Sequence, residues 1–181
     1  MAQNSTTTTA LILKRHNYKE TDRVVTLVTQ DWGKVTVIAK GARKLHSSKR
    51  GILEPGNLIK GYFVHTKYMP LLTQAEMLEA CFPQKVTLEQ IRNLQLTLEL
   101  FDRVLVEEEL EHDFYDQLLQ IRSRVIQSQH RGQIRHDFDS LLTRLGYPSL
   151  KQSEHDSITD YVAHLTEKPM RSWEFLQTAT N

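Results

Sequence analysis

With 181 residues, of which 39% are apolar and 25% charged, the chain has the composition of an ordinary globular protein. It contains no apolar run long enough to cross a bilayer and no recognisable secretion signal, so we expect a cytoplasmic protein without a membrane segment. A single cysteine, Cys81, excludes an internal disulfide and a cysteine-rich zinc site.

The net charge of +1 conceals two oppositely charged halves. Residues 1–80 contain twelve Lys or Arg against six Asp or Glu, whereas residues 81–181 contain eleven against sixteen. This asymmetry predicts a cationic module followed by an acidic one, and it favours a polyanionic partner for the first module.

The first half of the chain shows the pattern of a small β domain. Residues 1–9, rich in threonine, are predicted to be a disordered tail, and residues 10–80 the domain itself. Val25, Leu27 and other alternating apolar residues indicate strands with one buried face. Five strands are predicted, near Ala10–Arg15, Arg23–Thr29, Lys34–Lys40, Leu58–Lys67 and Leu71–Leu78. Turns at 31–33 and 68–70 separate two pairs of them, and five short strands suit a closed or partly open barrel.

The densest feature is a run of cations between the third and fourth strands, which we call the basic segment (residues 40–51). It carries five formal positive charges and no acidic residue, and its glycines and serines favour a loop. Such a loop suits contact with phosphate groups. The alternative is a solvated basic loop without a partner. The candidate contacts within it are Lys40, Arg43, Lys44, Lys49 and Arg50.

Other residues of the first half extend this predicted surface. Lys14, Arg15 and Arg23 are expected near the same barrel end, and Lys34 is a further candidate. Aromatic side chains commonly stack on unpaired bases beside a basic groove. The candidates are Tyr18, Trp32, Tyr62 and Tyr68, of which Trp32 is predicted to be exposed in its turn and Tyr62 to pack in the core.

The second half, residues 81–181, has the period of helices. Leu88, Ile91, Leu94 and Leu98 step by three or four, after a capping box of Thr87 and Gln90. Further helices are predicted around Phe114–Val125, around Phe138–Leu145 and from Ser153 to about Thr166. Trp173, Phe175 and Leu176 are predicted to close the helical core.

The chain carries none of the common catalytic motifs, so we expect no catalysis. His130, His136, Asp137 and Asp139, and separately residues 107–109, could suggest metal or carboxylate sites. Solvated polar faces or helix termini explain them better, because no second cluster completes a coordination sphere.

Several motifs in order resemble the N-terminal domain of the bacterial DNA repair protein family RecO. They are ALILKRHNYKETDR (10–23), TQDWGK (29–34), AKGARK (39–44), Ser48 and LEP (53–55). FDSLLTRLGYP (138–148) also resembles the helix that precedes the zinc motif in many of these proteins. Here KQSE (151–154) stands where the first zinc cysteine would be expected, so we predict neither zinc nor any other cofactor.

The resemblance implies an α+β protein, with an N-terminal OB-type five-stranded β-barrel followed by an all-helical domain. It also implies a recombination mediator, associated with the nucleoid, that binds single- and double-stranded DNA and anneals complementary strands. The implied partners are RecR, the C-terminal tail of the single-stranded DNA-binding protein and, indirectly, RecA. Two alternatives stay open, a protein-interaction adaptor whose barrel docks an acidic partner and an OB-type RNA-binding factor.

Overall fold

The computed structural model describes residues 5–82, 86–106, 110–127, 131–155 and 157–170 of the chain. The chain forms two compact units, Met1–Pro83 with Glu107–Tyr115, and Gln84–Val106 with Asp116–Asn181. Within the described ranges, no helix is both long enough and apolar enough to span a membrane.

The first unit contains a closed five-stranded barrel with the strand order β1-β2-β3-β5-β4. The strands are β1 (Ser5–Tyr18), β2 (Asp22–Thr29), β3 (Gly33–Ala39), β4 (Leu58–Val64) and β5 (Leu71–Glu79). A single parallel pair, Ile38 with Leu71, joins β3 to β5, while the other neighbouring strands are antiparallel. The predicted α+β fold, with an OB-type barrel before a helical region, is confirmed.

The barrel interior is filled by the alternating apolar residues that the sequence indicated. Val25, Leu27 and Phe63 have no exposed surface and pack in one core cluster. Gly61 leaves room for this packing, because a Cβ at that position would lie 2.4 Å from the Phe63 ring. Hydrophobic burial within the barrel therefore stabilises a domain that has no disulfide.

The predicted disordered tail is wrong for residues 5–9. They form the first part of β1 and pair antiparallel with β4, with Ser5 opposite Val64 and Thr9 opposite Lys60. Threonine has a high β propensity, and the partner strand supplies the backbone hydrogen bonds that a lone polar run lacks. β1 therefore pairs with two strands, β4 along residues 5–11 and β2 along residues 10–18.

The β2–β3 connection is the tight hairpin that the sequence predicts. Gly33 has a φ of 65°, and the Thr29 hydroxyl donates to the Gly33 carbonyl while accepting from the Trp32 amide. Between β3 and β4, residues 40–48 form turns, and a one-turn helix, α1 (Lys49–Ile52), follows. The Asn57 side-chain amide donates to the Ile52 carbonyl at 2.9 Å and so closes the end of α1.

The second half is helical, as predicted. Its helices are α2 (Leu88–Val104), α3 (His112–Ile126), α4 (Arg131–Arg144) and α5 (Ile158–Leu165), with a 3₁₀ turn at Leu150–Gln152. The capping box of Thr87 and Gln90 is present at the start of α2. The last helix is shorter than predicted, because the Ser157 hydroxyl accepts from the Asp160 amide and caps α5 there.

Two of the residues considered as metal ligands lie in α4 and have structural partners outside that helix. Asp137 forms an ion pair with Arg124, and the Asp139 carboxylate accepts from the Ser149 hydroxyl and the Leu150 amide. No group of three or more His, Cys, Asp or Glu side chains suited to a metal occurs in the described part of the chain. His130, residues 107–109 and the residues Trp173, Phe175 and Leu176 lie outside the described residues.

Candidate nucleic-acid interface

The basic segment is held in a defined path by its own backbone. Successive turns link the Gly41 carbonyl to the Lys44 amide, the Lys44 carbonyl to the Ser47 amide, and the Ser47 carbonyl to the Arg50 amide, at 3.0–3.1 Å. Gly41 begins this series with a φ of 64°, in the left-handed region that favours glycine. The segment is therefore a chain of turns rather than an open loop.

The β1–β2 turn and the start of β2 bind the backbone of the segment. The Arg43 amide donates to the Thr21 carbonyl at 2.8 Å, and the Gly41 amide donates to the Asp22 carboxylate at 2.8 Å. The Gly41 hydrogen bond is the main reason that the pKa of Asp22 lies below its ordinary value. The segment itself contains no acidic residue, but Asp22 brings a carboxylate to its start from β2.

The segment presents four of its five cations to solvent, and we call these the outward cations: Lys40, Arg43, Lys44 and Arg50. The Arg43 guanidinium donates to the Lys19 carbonyl at 3.3 Å. The charged ends of the other three make no hydrogen bond or ion pair with any residue that the structure describes. These groups can bind an anion without breaking a strong internal contact.

Lys49, the fifth cation, is bound to the protein itself. Its ammonium group donates to the Lys40 carbonyl at 2.9 Å and lies 3.3 and 3.5 Å from the Thr73 and Leu72 carbonyls. Burial lowers the pKa of Lys49 below its usual range. These contacts tie the end of β3, α1 and the start of β5 together, so Lys49 serves to position the segment.

Arg15 and Arg23 are also engaged internally, through Glu54. The Arg15 guanidinium donates twice to one Glu54 oxygen, at 2.7 and 3.1 Å, and Arg23 lies 3.6 Å from the other. Arg23 is only 7% exposed and donates to the Arg50 carbonyl at 2.9 Å. Burial, and then the nearby charge of Arg15, lower the pKa of Arg23. Together these three side chains, the Glu54 cluster, support the segment from the barrel wall.

The remaining predicted contacts lie farther away. Lys14 is exposed in the middle of β1, opposite Thr26. Lys34 lies at the start of β3, about 20 Å along an extended strand from Lys40. Trp32 was predicted to be exposed, which is wrong: its ring is partly buried, with centroids 5.2 Å from Phe63 and 4.7 Å from His65. Apolar packing of the large indole outweighs its position in a turn.

The exposed aromatic side chains of the barrel are Tyr18 and Tyr68, whereas Tyr62 is only partly buried. Tyr68 is 89% exposed in the β4–β5 turn. That turn adjoins the end of β3, because the Pro70 carbonyl accepts from the Ile38 amide at 2.9 Å. Tyr18 ends β1, and the Lys19 ammonium lies 5.3 Å from its ring centre. Each tyrosine thus offers a face for a base near the segment.

Three residues that were not predicted from the sequence complete this surface. Lys19 adds an exposed cation at the turn on which the segment lies, and Asp22 and Glu54 hold the segment and its supporting arginines. Asp22 is 19 residues from Gly41, and Glu54 is 39 residues from Arg15. A local sequence pattern does not indicate contacts between residues so far apart in the chain.

The arrangement is suited to bind phosphate groups. Cations that project from a rigid backbone lose little conformational freedom in the backbone when they bind, and their contacts with phosphate carry no sequence information. The described residues of the first unit therefore form a cationic surface that consists of the outward cations and Lys19.

A comparison with known protein families identifies the barrel. Residues 1–81 match the family described as the N-terminal domain of recombination protein O. The barrel is a RecO N-terminal domain. This confirms the resemblance inferred from the motifs between residues 10 and 55.

Curated relatives extend the similarity beyond the barrel. A protein named DNA repair protein RecO from Syntrophomonas wolfei is 28% identical over 142 residues, which are 78% of this chain and 57% of that protein. Proteins of the same name from a Roseiflexus species and from Salinibacter ruber are 38% identical over 112 residues and 42% identical over 77. The chain spans 57%, 36% and 30% of the lengths of these three relatives.

Proposed function

We propose that this chain is a non-enzymatic mediator of recombinational DNA repair that binds single- and double-stranded DNA through the RecO N-terminal barrel. The observation that supports it most is the hydrogen-bonded basic segment, on which Lys40, Arg43, Lys44 and Arg50 are exposed to solvent. Relatives named DNA repair protein RecO supply the biological setting.

In this proposal the barrel contacts the sugar-phosphate backbone rather than base edges. Binding is therefore tolerant of sequence and strongly dependent on salt, since each neutralised phosphate releases counterions. A protein that holds two strands through their backbones leaves the bases free to pair, which accounts for annealing of complementary strands. No bond is made or broken by the protein, and no metal or cofactor takes part.

The partner proteins of this function follow from the family. We propose that the chain acts at the nucleoid with RecR and with the C-terminal tail of the single-stranded DNA-binding protein, and that it thereby helps RecA to load. The second unit is the candidate region for these contacts, since the outward cations of the first unit are assigned to DNA.

The experiment that tests this function is annealing of complementary strands coated with single-stranded DNA-binding protein. The wild-type chain is expected to accelerate annealing, and the variant with Lys40, Arg43, Lys44 and Arg50 replaced by Ala to lose most of that acceleration. In the matched control, four exposed lysines elsewhere are replaced by Ala: Lys60, Lys67, Lys151 and Lys168. This control variant has the same net charge as the first variant.

Two results would contradict the proposal. A protein-interaction adaptor would bind an acidic partner but leave the annealing rate unchanged. An RNA-binding factor would bind single-stranded RNA much more tightly than DNA of the same sequence, because it would use the 2′-hydroxyl groups.

A further inference from the structure

Leu45 is an apolar side chain placed among the outward cations. It is 77% exposed, and its neighbours Arg43, Lys44 and His46 are exposed as well. A single exposed leucine is ordinary on most protein surfaces. Leu45 is unusual for its setting, because it lies in the middle of a segment that is otherwise suited to phosphate.

The other apolar residues of this region are directed into the barrel. Ala42 and Leu53 have no exposed surface, and Ile52 packs against the same core cluster. These contacts anchor the segment on both sides of Leu45. The fold therefore buries the apolar residues around Leu45 and leaves Leu45 itself in solvent.

The backbone around Leu45 is fixed by hydrogen bonds on both sides. The Arg43 amide is bound to the Thr21 carbonyl at 2.8 Å, and the Lys44 carbonyl accepts from the Ser47 amide at 3.0 Å. The backbone on each side of Leu45 is therefore held in place while its side chain lies in solvent. An exposed leucine on a constrained turn is thus already placed for an apolar partner and loses little backbone freedom when it meets one.

Two kinds of partner combine negative charge with an apolar interior. One is a nucleic acid, in which apolar side chains enter between stacked bases while cations hold the phosphates. The other is an anionic bilayer, which is bound by amphipathic helices with a broad apolar face. The segment has one exposed leucine and no such helix between residues 40 and 48, so the observations favour stacked bases.

We propose that Leu45 is a wedge that inserts at a base step, with Arg43 and Lys44 on the flanking phosphates. This inference rests on the proposed function and deepens it, because it adds an apolar contact with the bases to the backbone contacts. Insertion costs less where bases are loosely stacked, as in single strands and at duplex ends. The wedge therefore favours those substrates over an intact duplex.

The test uses the full chain and a DNA strand that carries 2-aminopurine, whose fluorescence rises when it is unstacked. Wild-type protein is expected to raise this fluorescence on binding. Leu45→Ala is expected to abolish the rise and to weaken binding about three- to tenfold. The slope of log K against log salt should stay unchanged, because no charge is removed. Leu45→Met, which restores an apolar side chain of similar size, is expected to recover both signals.

Leu78→Ala is the matched control, because Leu78 is also partly exposed, at 46%, but lies on β5 outside the basic segment. It should behave as wild type. The wedge is wrong if wild type and Leu45→Ala bind DNA with equal affinity and equal fluorescence. It is also wrong if Leu45→Ala loses binding to phosphatidylglycerol vesicles while its binding to DNA is intact. If wild type binds no DNA, the proposed function itself fails.

Discussion

Two groups of cations lie close together in the barrel and differ in what they bind. Arg15, Arg23 and Lys49, which we call the tied cations, are held by Glu54 and by backbone carbonyls. The outward cations are exposed. The tied cations would have to break several internal contacts to reach a phosphate, whereas the outward cations would break at most the 3.3 Å hydrogen bond from Arg43 to the Lys19 carbonyl.

The comparison shows that the number of charges in a segment does not measure its capacity for phosphate. The tied cations hold the backbone of the segment in place, and the outward cations project from that backbone. Substitutions in the two groups should therefore separate stability from affinity, and the following predictions test that separation.

The largest effect on stability is expected from Arg23→Ala. The substitution leaves the Arg50 carbonyl without its donor and Glu54 with one partner fewer. The free energy of unfolding should fall by about 2 kcal/mol. Urea denaturation measures it, and Arg43→Ala, an outward cation, should change it by less than about 0.5 kcal/mol. Equal losses of unfolding free energy in the two variants would contradict the distinction between tied and outward cations.

A smaller loss is expected from Lys49→Met, which keeps the apolar stem of the side chain but removes its ammonium group. The end of β3 and the start of β5 lose their shared donor, so the unfolding free energy should fall by about 1 kcal/mol. DNA affinity should also fall, because the path of the segment is disturbed. The slope of log K against log salt should not change. Lys44→Met should leave the unfolding free energy unchanged and lower the slope of log K against log salt by about 0.7.

A comparable effect is expected from Gly41→Ala, because alanine is strained at a φ of 64°. The unfolding free energy should fall by about 1 kcal/mol. Gly51→Ala is its control within the same segment, since Gly51 lies in α1 and a Cβ there meets no atom within 4 Å. That substitution should leave stability unchanged or raise it slightly.

The smallest effect concerns the pH dependence of stability. The Gly41 amide lowers the pKa of Asp22, so its ionised form stabilises the folded chain above the ordinary aspartate pKa. That contribution is lost as the pH falls below about 4 and passes through the lower pKa of the folded state. Asp22→Asn should show a shallower loss in urea denaturation between pH 6 and 3. An equal loss of stability between pH 6 and 3 in wild type and in Asp22→Asn would contradict the assignment.

The sequence predicts the barrel well because its evidence is local. Val25 and Leu27, which alternate along β2, enter the barrel core as predicted, although residues 23–29 of β2 are all buried. Glycine marks the β2–β3 turn. Residues 5–9 were missed because only pairing with β4 makes that threonine run a strand. A helix cap at Ser157 likewise shortened the last predicted helix.

The candidate site is predicted only in part, for the same physical reason. Charge and glycine content locate the segment, but whether Arg23 or Lys49 can bind a ligand depends on Glu54 and on the Thr73 carbonyl. These partners are distant in sequence and meet only when the barrel closes. Trp32 is a similar case, since its burial depends on Phe63 and His65.

The central claim is that the outward cations bind the phosphates, and the salt dependence of single-strand binding tests it most directly. Replacing Lys40, Arg43, Lys44 and Arg50 with Ala should reduce the slope of log K against log salt by about three units, at roughly 0.7 for each phosphate that is no longer neutralised. The charge-matched variant at Lys60, Lys67, Lys151 and Lys168 should reduce it by less than about one unit. Equal slopes in the two variants would contradict the account.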